Sequence, residues 1–96
     1  MEQDFLSEII SERTEKNPKF PVLVEAAIAR RELLRALAHE REKAGVTQTE
    51  LAAAMGTSQS QVARLESGGV DTKLSTVEKF AAVLGKKLEW RLVDHV

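Results

Sequence analysis

The chain has 96 residues, of which 43% are hydrophobic and only 4% aromatic, so it is long enough for one small domain with a core mainly of Leu, Val, Ile and Ala. It contains no cysteine, which excludes disulfides and any cysteine-based metal site. The net charge of −1 argues against a protein that holds nucleic acid by general positive charge alone, although a sequence-reading domain can concentrate its cations on one face.

The first predicted element is an amphipathic helix over residues 3–15, which we call the head. One face is apolar and recurs at helical spacing, and the outer face is acidic. The apolar residues of the head are Phe5, Leu6, Ile9 and Ile10. Asn17 and Pro18 then end this helix and start the next one, with Asn17 as N-cap and Pro18 in the first turn.

A second helical segment follows Pro18 and leads toward the centre of the chain. Its apolar residues are Phe20, Val24, Ala27, Ile28 and Ala29, and the segment can run on into the helix that follows. That next helix is expected to bury Leu33, Leu34, Leu37 and Ala38 and to end at Gly45.

Residues 47–68 predict two short helices joined by a tight turn. Thr47 and Glu50 have the spacing of a capping box, and Gly56 stands where the chain must adopt a positive φ. Ser58 is expected to cap the second helix, with Gln61 at the spacing of a second capping box, and Gly68 ends that helix.

The second of these helices has an outward polar face. The face consists of Gln59, Ser60, Ala63 and Arg64, because Val62 and Leu65 are expected to point inward. A short capped helix with such a face is what a helix-turn-helix places in a DNA major groove. Spacing alone leaves a second interpretation open, in which the two helices are a plain hairpin of a small bundle with a solvated face.

The last predicted helix covers about residues 73–84 and is followed by a strand. The helix should bury Leu74, Val77, Phe80, Ala81 and Leu84. After Gly85, apolar and charged residues alternate, which predicts a strand over roughly residues 87–93. A lone strand needs a partner, so we expect pairing with a second copy through Leu88, Trp90 and Leu92. The alternative is a tail whose Trp90 and Leu92 pack on the bundle.

Residues 33–85 resemble the Cro/repressor-type (XRE) helix-turn-helix family. The matching residues are Leu37, Arg41, Gly45, Thr47-Gln48, Glu50-Leu51-Ala52, Gly56, Ser58, Val62, Arg64-Leu65-Glu66, Gly68, Leu74, Val77, Ala81 and Leu84-Gly85. The resemblance implies an all-α, five-helix repressor-like bundle over residues 30–85, with an N-terminal helical extension at 1–29 and a dimerising strand at 86–96. It also implies that Arg41 and Glu66 are a structural pair that ties the first helix of this domain to the recognition helix.

The same resemblance implies a DNA-binding surface. Dimers of this family place two recognition helices in successive major grooves of a palindromic site. The positions that match DNA-facing ones are Gln48, Ser58, Gln59, Ser60, Gln61, Ala63 and Arg64. Gln59 would bond adenine, Arg64 a guanine or a phosphate, and Ala63 a thymine methyl group. Gln48 and Gln61 would contact the DNA backbone.

The chain adds a long N-terminal helical segment and a C-terminal strand to the domain. This layout, with Asn17-Pro18-Lys19-Phe20 before the second helical segment, resembles that of HigA-type antitoxins. Such antitoxins bind a small basic, RNA-cleaving toxin of the RelE/HigB type and repress the operon they share. The head would then bind the toxin through Phe5, Leu6, Ile9, Ile10 and its acidic face. Two alternatives stay open: the head covers its own bundle, or the chain is a stand-alone, phage-repressor-like regulator without a toxin partner.

Other classes find little support in the sequence. The two histidines, His39 and His95, belong to no triad, metal-ligand spacing or phosphate loop, so we expect no enzyme, metal or cofactor. No apolar run approaches the roughly 18–20 residues of a membrane span, and the acidic start lacks the basic residues of a signal peptide, so a cytoplasmic protein is expected. A protein-interaction module that does not read DNA is a further hypothesis, distinguished by weak salt dependence of any DNA binding.

Overall fold

The structure is a computed structural model that describes residues 20–68 and 71–94. Four α-helices lie within these residues: α1 (Phe20–Lys43), α2 (Gln48–Met55), α3 (Gln59–Ser67) and α4 (Leu74–Val83). Helix α2 packs against α3 and α4, and α1 packs against the same two helices. All regular secondary structure in the described part is therefore helical, with α2 and α3 as the helix-turn-helix. A search of the same residues finds no helix that could span a membrane.

Helix α1 joins two segments that the predicted domain boundary at residue 30 separated. It runs without a break for 24 residues, or about 36 Å, because no glycine or proline follows Pro21 before Gly45. The described residues therefore contain four helices and not the predicted five-helix bundle. The head predicted over residues 3–15 lies outside the described residues.

The ends of α2 and α3 are fixed by the predicted capping residues. The Thr47 hydroxyl accepts from the Glu50 N–H at 3.0 Å, and the Thr47 N–H donates to the Glu50 carboxylate at 3.1 Å. The bond from the Thr47 N–H to the carboxylate, helped by the Thr47 side chain, favours the charged form and holds the pKa of Glu50 below its ordinary value. Ser58 accepts from the Gln61 N–H, but the Gln61 side chain makes no return bond, so the second capping box is only half formed.

The core takes one large, fully buried side chain from each helix. These four are Leu34 of α1, Leu51 of α2, Val62 of α3 and Phe80 of α4. Five smaller or slightly more accessible residues complete the core: Leu37, Ala52, Leu65, Val77 and Ala81. Because all four helices meet at this cluster, the inner face of α3 is fixed and its outer face is left to solvent.

Leu74 does not join the core, contrary to the prediction from helical spacing. Its side chain is 61% exposed, whereas Val77, Phe80 and Ala81 of the same helix are buried. Leu74 is the first residue of α4, where the chain has only just entered the helix and lies at the edge of the inward stripe.

The predicted strand over residues 87–93 is not formed in the single chain. Residues 86–94 have no regular secondary structure, because a strand exists only when it pairs with another and the described residues offer no partner. Leu88 packs against the core, whereas Trp90 is 53% exposed and Leu92 fully exposed. The alternative in which Trp90 and Leu92 pack on the bundle is therefore wrong, and it is Leu88 that packs there.

Candidate nucleic-acid interface

Helix α3 presents a polar surface opposite its buried side. Val62 and Leu65 anchor it in the core. Gln59, Ser60 and Arg64 are exposed, and Ala63 is half-buried at the edge of the same surface. The N-cap Ser58 and Gln61, in the first turn of α3, are also exposed. The outward side chains expected from the sequence thus lie together along one helix, on the side away from the core.

Two glutamines connect the starts of α2 and α3. The Gln59 amide Nε2 donates to Gln48 Oε1 at 2.6 Å, and Gln48 Nε2 donates to Glu66 Oε1 at 2.9 Å. An ionised carboxylate only accepts hydrogen bonds, so Glu66 fixes the orientation of the Gln48 amide, which in turn fixes that of Gln59. Gln59 is left with its carbonyl oxygen and one N–H available to a ligand.

The family resemblance matches Gln48 to a phosphate contact, which stays a prediction. In the structure its amide bridges two protein side chains, and the residue is half-buried. This bridge places Gln48 beside Gln59. Spacing along the chain does not reveal this bridge, because its bonds join residues on separate helices.

Arg41 and Glu66 form a bidentate ion pair behind the glutamines. Arg41 Nε donates to Glu66 Oε2 at 2.6 Å and Arg41 Nη2 to Glu66 Oε1 at 3.0 Å, with both side chains only 9% exposed. The remaining Nη1 donates to the Val46 carbonyl at 2.8 Å. The bond to Glu66 raises the pKa of Arg41 above its ordinary value, so the guanidinium stays charged. The end of α1, the loop before α2 and the end of α3 are thereby held together.

An open cleft of about 390 Å³ lies beside α3, on the side of α4. Gln61 stands on one wall, and Lys73 and Lys79 stand on the wall that α4 supplies. Within the described residues neither lysine pairs with a carboxylate, whereas the carboxylate of nearby Asp71 lies 3.8 Å from Arg30 Nη2. These lysines were not predicted as site residues, although Lys73 stands at the start of the helix that follows α3 and Lys79 lies in the middle of that helix.

The other residues singled out from the sequence lie away from this surface or outside the described residues. Phe5, Leu6, Ile9 and Ile10 fall in residues that the structure does not describe. His39 is exposed, and within residues 20–68 and 71–94 no three His, Asp or Glu side chains come together as a metal site would require.

Comparison with known proteins agrees with this geometry. The family model described as Helix-turn-helix (HTH_3) matches residues 37–91, which is more than half of the chain. The match begins within α1, includes α2, α3 and α4, and extends past Leu88. No curated protein and no solved structure matches. The chain belongs to the HTH_3 helix-turn-helix family, the XRE-type family of DNA-binding transcription regulators.

Proposed function

We propose that this protein is a sequence-specific transcriptional repressor that reads a palindromic operator with α3. The observation that carries the proposal is the outward face of α3, on which Gln59 is oriented by Gln48. The available carbonyl and N–H of Gln59 match the N6 amino group and N7 of adenine, which a glutamine can bond in a bidentate manner. The exposed Arg64, one helical turn further on, reaches a guanine or a phosphate.

Phosphate contacts would hold the helix in register on the duplex. Ser58 and Gln61 are exposed at the start of α3, where the unpaired N–H groups of the helix favour an anion. Lys73 and Lys79 stand across the cleft from Gln61 and supply positive charge on the same side. In a chain of net charge −1, such local cations matter more than the total.

We propose that the repressor acts as a homodimer. The C-terminal segment supports this, because Leu88 is anchored on the core while Trp90 and Leu92 are left exposed. Pairing of residues 87–93 with the same residues of a second copy would give each strand its partner and cover both side chains. A two-fold dimer would then place its two α3 helices about 34 Å apart, one turn of DNA.

Binding to a selected operator tests the reading role of α3. A duplex can be selected from a random library with the intact protein and then used in fluorescence anisotropy. Gln59→Ala and Arg64→Ala should each weaken binding to this duplex by about 1–3 kcal/mol. Gln61→Ala is the matched control, and it should weaken binding to selected and random duplexes alike. If folded Gln59→Ala and Arg64→Ala variants both bind as tightly as the intact protein, α3 does not read the operator.

We further propose that the repressor is the antitoxin of a toxin–antitoxin pair and represses its own operon. Support comes from parts of the chain that lie outside the matched residues 37–91: the acidic head and the N-terminal half of α1, where Val22, Leu23 and Ile28 are exposed. An acidic amphipathic segment suits a basic partner such as a RelE/HigB-like toxin. The stand-alone regulator without a toxin accounts for α2, α3 and α4 equally well.

Co-purification distinguishes these two functions. The chain is expressed together with the product of the neighbouring reading frame, and the purified material is tested by gel shift on the promoter upstream of both genes. A complex that shifts this promoter supports the antitoxin. A chain that shifts the promoter but does not retain the neighbouring product is a stand-alone repressor.

A further inference from the structure

The N-terminal half of α1 is apolar on nearly every side. Residues 20–29 contain a single charged residue, Glu25. Three of their large apolar side chains are exposed, Val22 by 42%, Leu23 by 58% and Ile28 by 44%. A helix that is apolar all round is normally buried. This half of α1 therefore calls for a covering element that the described residues do not supply.

A second copy of the chain is a poor candidate for this covering element. A ten-residue stretch of helix is only about 15 Å long, and one face of it falls well short of the roughly 800 Å² per partner of a stable interface. A segment of the same chain needs no such area, because its tether keeps it at an effective concentration in the millimolar range. The head is such a segment, since it ends a few residues before Phe20.

We propose that the head folds back along the N-terminal half of α1 and forms an antiparallel helical hairpin with it. A helix over residues 3–15 would be about 20 Å long and would span the first half of α1. The intervening residues 16–19 have the length of a usual helix–helix connection. Pro18 disfavours a helical conformation at Asn17, so the chain is expected to turn there instead of continuing as one helix.

The two faces of the head fit this arrangement. Phe5 and Ile9, like Leu6 and Ile10, are four residues apart and share one face, which would lie on α1. The acidic residues Asp4, Glu8, Glu12 and Glu15 recur on the opposite face and would stay in solvent.

The ends of the two helices are also complementary in charge. In an antiparallel hairpin the acidic start of the head, with Glu2 and Asp4, lies level with a basic stretch of α1. That stretch contains Arg30, Arg31 and Arg35, all exposed. The hairpin is proposed for the chain without a partner, so it goes beyond the proposed repressor. It is compatible with a toxin that binds the outward acidic face of the head or displaces its apolar face from α1.

Thiol labelling tests the hairpin directly, because the chain has no cysteine of its own. Leu23→Cys puts a single thiol on the exposed face of α1, and its reaction with N-ethylmaleimide is followed in the full chain. With the unaltered head, the thiol should react about tenfold more slowly than in the same chain carrying Phe5→Ser and Ile9→Ser, because it is reached only when the hairpin opens. Glu8→Ser with Glu12→Ser is the matched control on the opposite face and should leave the thiol slow.

Each other outcome overturns the proposal. Equal rates with the unaltered head and with Phe5→Ser and Ile9→Ser mean that the head does not cover α1. A rate that falls with rising protein concentration identifies a second copy as the cover. An Ala81→Cys thiol, which is buried on α4, should react slowly and at one rate in all head variants, which shows that the four-helix body is folded. The measurement needs no DNA or toxin, so it stands apart from the tests of the proposed function.

Discussion

Glu66 accepts hydrogen bonds from Arg41 and from Gln48, so one carboxylate joins α1, α2 and α3. Arg41→Met removes the cation and leaves the carboxylate buried with only an amide partner. We expect this change to lower the free energy of unfolding by about 3–5 kcal/mol, as measured by urea denaturation at pH 7.

The double variant Arg41→Met with Glu66→Gln serves as the control for that loss. It removes the unpaired charge, and the amide that replaces the carboxylate keeps an oxygen for Gln48, so it should be more stable than Arg41→Met alone. An Arg41→Met protein that unfolds at the urea concentration of the intact chain would show that the ion pair contributes nothing to stability.

The bond between Gln48 and Gln59 leads to a second prediction about single residues. If Gln48 acts by orienting Gln59, then Gln48→Ala and Gln59→Ala remove the same interaction with the operator. Their combined effect in a double-mutant cycle should fall short of the sum by about 1 kcal/mol. The measurement is anisotropy on the selected duplex. Strictly additive losses, together with an equal loss on selected and random duplexes for Gln48→Ala, would favour the phosphate contact for Gln48 instead.

At the scale of the helices, Gly68 lies so close to α1 that a side chain has no room there. Its φ is +68°, and a Cβ added there would lie 2.6 Å from Arg31 Cγ. Gly56 is a matched control, because its φ is +72° but a Cβ would meet nothing within 4 Å. Gly56→Ala should therefore cost only the conformational penalty of about 1 kcal/mol, and Gly68→Ala clearly more. Thermal or urea unfolding of both variants checks this, and equal losses would mean that Arg31 moves aside freely.

The boundaries of α2 and α3 could be predicted from the sequence because they depend on local chemistry. Thr47, Ser58, Gly56 and Gly68 act on the backbone within a few residues of themselves, and each stands at the helix end expected for it. The predicted burial of Leu74 is wrong because burial there depends on where the core ends, and helical spacing does not contain that information. The predicted strand is absent from the described residues because a strand needs a partner, and these residues contain none.

The candidate site could be predicted from the sequence only in part. The outward face of α3 follows from the inward positions of Val62 and Leu65, so periodicity alone locates it. The Gln48 bridge and the lysines beside the cleft arise from packing between α2, α3 and α4. Contacts between separate helices of this kind become visible only in three dimensions.

At the scale of the whole molecule, the proposed dimer depends on the C-terminal segment. Trp90→Ser should convert a dimer to a monomer in sedimentation velocity, because it removes the largest apolar side chain that the pairing would cover. Leu74→Ser is the control, since Leu74 is comparably exposed but lies outside the segment. Operator binding by Trp90→Ser should lose its cooperativity with the second half-site. A Trp90→Ser protein that stays dimeric would move the interface elsewhere.

Under the proposed function, the link from Gln59 through Gln48 to Glu66 constrains how the protein can diverge toward new operators. Ser60 and Arg64 bond to no other helix in the described part of the chain, so mutations there can change the recognised bases one at a time without loss of fold. A change at Gln59 alone would remove the N–H that donates to Gln48 Oε1 and would disturb the bond from Gln48 to Glu66. Gene duplicates that acquire new operators should therefore exchange residues 48 and 59 as a pair, while residues 60 and 64 drift independently.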